Sequence, residues 1–537
     1  MWEWLVEFYR RVGIDAAKAR VEISAQADTT YREAMADYDA FVPVMAEIAE
    51  PAIHIGTAKD SLGTKVPVNL PLEELAHHAL VIGGTGTGKT TFVTSLVAQA
   101  LMHDQPVGVI DFKSDFFRLG LEWAGATAWK LDPAARQRFI DRIVVVNPFA
   151  EELIPLNVCR LIPGTSPEVQ AYEVALALSR LFDTSIGFQM ENILRHLLLL
   201  LMESSLSLVE APTILQDEVL RGILVERSQN LAVKEFFRRT YANVPSGSKE
   251  AIIARLQALL LPENFRLMLG ADDMADFKGV LDQGDPMFVF LGKGPGVPHE
   301  QVEVMGSLLL QLLFQSAFAG SRRRPYHLGC DEFFHLLDTP ALGKRFETAL
   351  TTLRSFGVHL TLVMHNFGQV PGSLREAMLA NCDLMALFRT SSRNAQFFGE
   401  FLPELDPELV MQSLRRTGRT PARHEIRSQL VERLQRLPNR TCYWYDRLKP
   451  YRALPVTVPD VPSPHEAAGL TESELAAFMA DHGIQRGRLA VPKDVLRRQI
   501  EARSAKLAEL LQPLDLPEDS PTPAATQARK STRPSFG

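Results

Sequence analysis

Residues 77–92 read HHALVIGGTGTGKTTF, an apolar run that enters a glycine loop and leaves it into residues with helical periodicity. Strand, loop, helix is the context required by the pattern G-x-x-x-x-G-K-[ST], and Gly83, Gly88, Lys89 and Thr90 fill its fixed positions. Gly83, Gly84, Gly86 and Gly88 let backbone N–H groups turn inward around phosphates, and the start of the helix adds partial positive charge. With Thr85, Thr87 and Thr91 they form the expected phosphate cradle. Within it Lys89 neutralises the β- and γ-phosphates and the Thr90 hydroxyl ligates Mg²⁺. The expected ligands are therefore ATP and Mg²⁺.

Such a loop needs a second carboxylate at the end of a neighbouring strand. Residues 326–334, YHLGCDEFF, supply a pair: Asp331 for Mg²⁺, and Glu332 to polarise the attacking water. In LVMHNFGQ, 362–369, Asn366 stands just past another strand-like run, where a polar side chain can sense the γ-phosphate. Arg354 and Arg389 lie on the later strands and helices. Each reads either as an arginine that stabilises transition-state charge in a neighbouring subunit or as a member of a structural ion pair.

Further apolar runs at 106–115, 142–148, 287–294, 357–365 and 383–390 resemble buried strands, with helical patterns between them. Alternation of this kind predicts an α/β fold with a doubly wound parallel sheet. From about 165 to 283 the periodicity is helical only, so an all-α domain is expected as an insertion. The expected division is N-terminal helices and a small β element at 1–70 and the first part of the P-loop core at 71–160. The all-α insertion at 161–284 follows, then the second part of the core at 285–455. A Pro-rich linker leads to a helical module at 464–511, which opens with a capping box from Thr471 to Glu474, and to a disordered tail at 512–537.

Composition narrows the class. With 46% hydrophobic and 23% charged residues the chain is of ordinary globular type, and a net charge of −7 argues against a general basic coat for nucleic acid. Cys159, Cys330, Cys382 and Cys442 lie far apart, which suggests neither a zinc site nor a disulfide framework and fits a reducing, cytoplasmic setting. The first twenty residues lack the pattern of a signal peptide. The longest run free of Asp, Glu, Lys, Arg and His, 304–321, holds two Gln, three Ser and two Gly, and Met305, Leu308, Leu309, Leu312 and Ser316 follow helical spacing, so a helix buried on the sheet is expected and not a membrane span.

Taken together, the motifs resemble those of the HerA and FtsK superfamily of ring-forming DNA-pumping ATPases, and most closely the conjugative coupling ATPases of type IV secretion. The resemblance runs from about His78 to Pro455. It rests on HALVIGGTGTGKTTF, VIDFKSD, PLNV at 155–158, the helical insert, LGCDEFF, LRSFGVHLTLVMHNFGQV and NCDLMALFRTSSRNAQFF. About 240 residues separate Thr90 from Asp331, and the insert accounts for them as it does in that family. The resemblance implies a RecA-like core, a homo-hexameric ring, DNA as the moved partner, and a relaxase or secretion-channel protein beside it. Three positions depart from the family pattern: Asp111-Phe112-Lys113-Ser114-Asp115 lacks the Pro-Gly turn, Asn366 stands for a sensor Gln that Gln369 could also supply, and Asn394 replaces an Asp. Family members usually carry N-terminal membrane helices, and residues 1–70 hold no run that could span a bilayer, so docking at the inner membrane through a partner is the expectation.

The function implied is ATP-driven DNA translocation, with ATPase activity stimulated by DNA. The alternative is a nucleotide-switched ring scaffold of a defence or secretion complex that recruits an effector nuclease or another partner. Arg322, Arg323 and Arg324 read as a DNA-facing cluster or as a solvated helix end, and the basic residues of 464–511 as a docking module or a plain helical hairpin.

Overall fold

The computed structural model describes residues 51–59, 65–113, 115–179, 187–292, 297–320, 324–332, 340–402, 422–447 and 453–511. The expected helices of 1–50 and the tail from 512 lie outside them, as do Arg322 and Arg323. In chain order the strands are β1 (Ala52–Lys59), β2 (Lys65–Pro71), β3 (His78–Ile82), β4 (Val107–Asp111), β5 (Val144–Val146) and β6 (Glu152–Leu153). After the helical insert come β7 (Met287–Phe290), β8 (Tyr326–Asp331), β9 (Val358–Met364), β10 (Cys382–Phe388), β11 (Thr441–Asp446), β12 (Ala453–Thr457) and β13 (Val491–Pro492).

Eleven strands form one sheet in the order β2-β1-β12-β11-β10-β3-β9-β8-β4-β7-β5. From β10 to β5 every pairing is parallel, and from β10 to β2 every pairing is antiparallel. The parallel strands β3, β4 and β10 are buried at every residue, as strands covered by helices on both faces must be. Alternation divides them cleanly: Leu80 and Ile82 face one hydrophobic core, Ala79 and Val81 the other. The second core holds Phe92, Val93 and Val97 of the P-loop helix (Lys89–Met102) together with the helix Asp115–Lys130.

The first core is shared with the insert. Leu194, Leu197, Leu256 and Phe265, from helices between 187 and 269, belong to the same cluster as Leu80 and Leu362, so the helical block packs its apolar faces onto the sheet. The helix His299–Ala319 lies between them. It is long and apolar enough to cross a membrane, yet 78% of its apolar window is buried, which makes it the core helix expected from its Gln and Ser content.

Two features were not evident in the sequence pattern. The β1–β2 hairpin joins the main sheet, because Thr57 pairs with Thr457 of β12. The segment 464–511 spans both halves of the molecule. Phe478 packs edge-on against Trp129 of the core at 5.2 Å, β13 pairs with β6, and buried Arg503 bonds Glu210, Asp272 and the Gly270 carbonyl in the insert.

Candidate nucleotide site

Register explains why the site lies where it does. Asp111 at the end of β4 pairs with Asp331 at the end of β8, Asp331 with Val363 near the end of β9, and Met364 with Ile82 at the end of β3. The carboxyl ends of four neighbouring strands therefore finish in one row, where ligands of open α/β sheets bind. The P-loop leaves β3 at this row. Gly83 sits so close to β10 that a Cβ would come within 2.6 Å of the Phe388 Cβ, and Gly88 adopts a φ of +110° at the start of the helix. These two positions require glycine for different reasons, one for close approach and one for backbone conformation.

Lys89 is 4% exposed, and its ammonium donates to the carbonyls of Gly83 at 2.7 Å and Gly84 at 2.9 Å, with His365 Nδ1 at 2.9 Å. Burial lowers its pKa to about 8, against the upward pull of Asp331 and Glu332. Asp331 is raised to about 6 by burial and then by the neighbouring charges of Asp111 and Glu332. Asp111 is wholly buried and acts locally, accepting from the N–H groups of Lys113 and Phe117 at the head of the helix that begins at Asp115.

Glu332 is 2% exposed and has a φ of +54°. Its Oε1 meets Lys113 Nζ at 2.5 Å and His365 Nε2 at 2.6 Å. Burial pushes this carboxyl up, but the hydrogen bonds from His365 and Lys113 outweigh it and hold the group below its ordinary value. His365 thus bridges the P-loop lysine to the glutamate. A cleft of about 320 Å³ opens above these groups, lined by Thr85, Gly86, Thr90, Thr91, Asp331 and Arg440 among others.

Of the residues expected from sequence, Lys89, Thr90, Asp331 and Glu332 come together here. Asn366 does not turn to the cleft: its Oδ1 accepts from Gly368 N–H and caps the following turn. His365, one residue earlier, takes the place expected for it. Asn394 donates to the His365 carbonyl and the Thr390 hydroxyl behind the site. Arg389 reaches the P-loop through its backbone, whose carbonyl accepts from Gly84 N–H, while its guanidinium donates to Leu437 O and Asn439 Oδ1. Arg354 lies at the opposite end of the sheet, 2.9 Å from Asp383. Within the subunit both arginines realise the ion-pair or structural reading.

The fold and this row of strand ends are those of a P-loop ATPase. Residues 53–266 match the family model described as Helicase HerA, central domain. Among solved structures, the unbound bacterial conjugative coupling protein TrwBdeltaN70 shares 16% identity at a TM-score of 0.52, covering 79% of this chain and 92% of its own. The plasmid coupling protein TrwB in complex with ADP and Mg²⁺ shares 17% at a TM-score of 0.50, over 80% of this chain and 93% of its own. TrwB in complex with the ATP analogue ADPNP shares 17% at 0.50, over 79% and 92%. No curated protein matches the sequence. The resemblance read from the motifs is therefore borne out in the family match and in the fold.

Proposed function

We propose that the chain is an ATP-hydrolysing motor that moves DNA, working as a homo-hexameric ring in conjugative transfer or a related mobile-element process. The observation that carries this reading is the meeting of Lys89 and Thr90 with Asp331 and Glu332 across strands that the helical insert separates in sequence. A plasmid coupling protein of the same fold forms a complex with ADP and Mg²⁺.

The residues present fit a magnesium nucleotide. A buried ammonium satisfied only by loop carbonyls and a histidine is poised to exchange them for phosphate oxygens. Asp331, raised by burial and like charge, gains from a cation beside it. Thr90 and Asp331 would hold Mg²⁺, which takes few protein ligands and keeps its waters. When bound, the ion supplies neutralisation of the charge that develops on the phosphates. Lys89 adds positive charge on the same phosphates, and Glu332, positioned by His365, orients and polarises the attacking water once Lys113 releases it. Both arginines are engaged inside the subunit, Arg389 with Leu437 O and Asn439 and Arg354 with Asp383, so either must leave those partners to act on a neighbouring subunit.

A second reading has one observation in its favour. Lys113, from the altered DFKSD motif, sits directly on Glu332 and restrains the group that would activate water, as a slow nucleotide switch in a recruiting scaffold requires. Steady-state ATP hydrolysis measured with and without single- and double-stranded DNA separates the two. The motor predicts several-fold stimulation by DNA. A rate indifferent to both forms of DNA supports the scaffold and sinks the motor.

A further inference from the structure

Four described residues other than glycine have a backbone in the left-handed region: Asp104, Ser205, Glu332 and Arg440. Two of them flank the P-loop, Glu332 on the side of β8 and Arg440 on the side of β11. Strained backbone of this kind persists only where the surroundings impose it, and it concentrates at functional sites.

Arg440 is held firmly. It has a φ of +60°, its N–H donates to the Thr87 carbonyl at 2.8 Å, and its own carbonyl accepts from Val458 N–H at 2.8 Å. A Cβ on Gly88 would stand 3.1 Å from its Cα. The residue before it, Asn439, is fixed by the guanidinium of Arg389 at 2.8 Å. Topology brings this turn to the site: β11 runs antiparallel to β10, with Cys442 opposite Phe388, so the start of β11 lies at the same end of the sheet as the P-loop. The Arg440 side chain is half exposed, lines the nucleotide cleft and pairs with Asp460, which is 84% exposed. An exposed pair of this kind contributes little and yields readily to a ligand.

Resting on the reading of the cleft as a nucleotide site, we infer that Arg440 is a specificity-determining residue that grips the ribose and base of the bound nucleotide. The P-loop strand β3 lies between β9 and β10. Asp331 and Glu332 stand beyond β9 and claim the reacting end of the phosphate chain, so the nucleoside end extends toward β10 and β11, where Arg440 stands. A planar guanidinium suits this position, because it stacks on a base and donates to ribose oxygens.

The test uses Arg440→Gly in the full chain. Glycine accepts a φ of +60° without strain, so the melting temperature stays level or rises while the side chain is removed. Binding of Mg²⁺-ADP and of Mg²⁺-pyrophosphate is measured by calorimetry for wild type, Arg440→Gly and Lys89→Ala. The inference predicts that Arg440→Gly weakens ADP by about tenfold or more and leaves pyrophosphate unchanged, whereas Lys89→Ala weakens both. Unchanged ADP binding, or equal weakening of ADP and pyrophosphate, overturns the assignment while the P-loop reading stands. Failure of the wild type to bind either probe overturns the nucleotide site itself. Arg440→Asn, which also tolerates the left-handed conformation, must repeat the result.

Discussion

The two ends of the parallel sheet carry similar numbers of charged and titratable groups and use them in opposite ways. At the amino end, Asp383 accepts from His77 at 2.7 Å and Arg354 at 2.9 Å, and the tilted rings of His78 and His327 flank that of His359 with centroids 6.1 and 5.9 Å apart. His78 is satisfied on both nitrogens, facing Leu350 O and Leu360 N–H. At the carboxyl end, Lys89, Lys113, His365 and Glu332 contact one another around an open cleft. The first set, in which Asp383, His77, Arg354 and His78 are all paired, serves the fold. The second is a set of charges that hold each other until a ligand redistributes them.

Substitutions should separate the ends sharply. Lys89→Ala removes the phosphate-neutralising charge, and ATP hydrolysis in a coupled assay should fall by about 100- to 1,000-fold, with little change in the melting curve. His365→Ala comes next. It deletes the contact shared by Lys89 and Glu332, so turnover should fall by about tenfold while ADP affinity measured by calorimetry stays within about threefold. A loss confined to affinity would show that His365 serves binding and not positioning.

Between pH 7 and pH 5, acid should act on the histidines of the amino end and on Asp331 of the carboxyl end with opposite sign. Burial lowers His78 and His327 to about 4 and His359 to about 3, from the ordinary 6.5. The unfolded chain therefore binds more protons than the native one below pH 6.5, and stability present above that value is lost as pH falls toward 4. Each histidine contributes a slope of at most about 1.4 kcal/mol per pH unit. Asp331 is raised from 3.8 to about 6, so here the native state binds more protons, and stability is gained as pH falls through 6 toward 4. In Mg²⁺-free buffer the melting temperature should drop between pH 7 and pH 5, and Asp331→Asn should make that drop steeper. An equal or shallower drop in the variant would contradict the assignment of the raised carboxyl.

The difference between the ends also governs what could be read from sequence. The P-loop and the Asp331 and Glu332 pair were legible because their chemistry is local: fixed spacing on a strand, a loop and a helix start. The parallel strands were legible because strands covered on both faces are uniformly apolar. His365 was missed in favour of Asn366, although strand parity carried a signal. Val363 faces the core that contains the P-loop helix, and His365 lies two residues further along on that face. Lys113 on Glu332 and Arg440 beside Gly88 join residues more than 200 apart in sequence. No spacing rule encodes such contacts, which exist only once the sheet order is set. The addition of β1 and β2 to the main sheet was hidden for the same reason, since Thr57 finds its partner at Thr457.

In the proposed motor, residues 83–90 and Asp331 with Glu332 form one hydrolytic site. Glu332→Gln tests that most directly, with ATP binding and single-turnover hydrolysis measured on the same preparation. The expected result is binding at wild-type affinity and hydrolysis slowed by about 100-fold or more. Hydrolysis at the wild-type rate would contradict it.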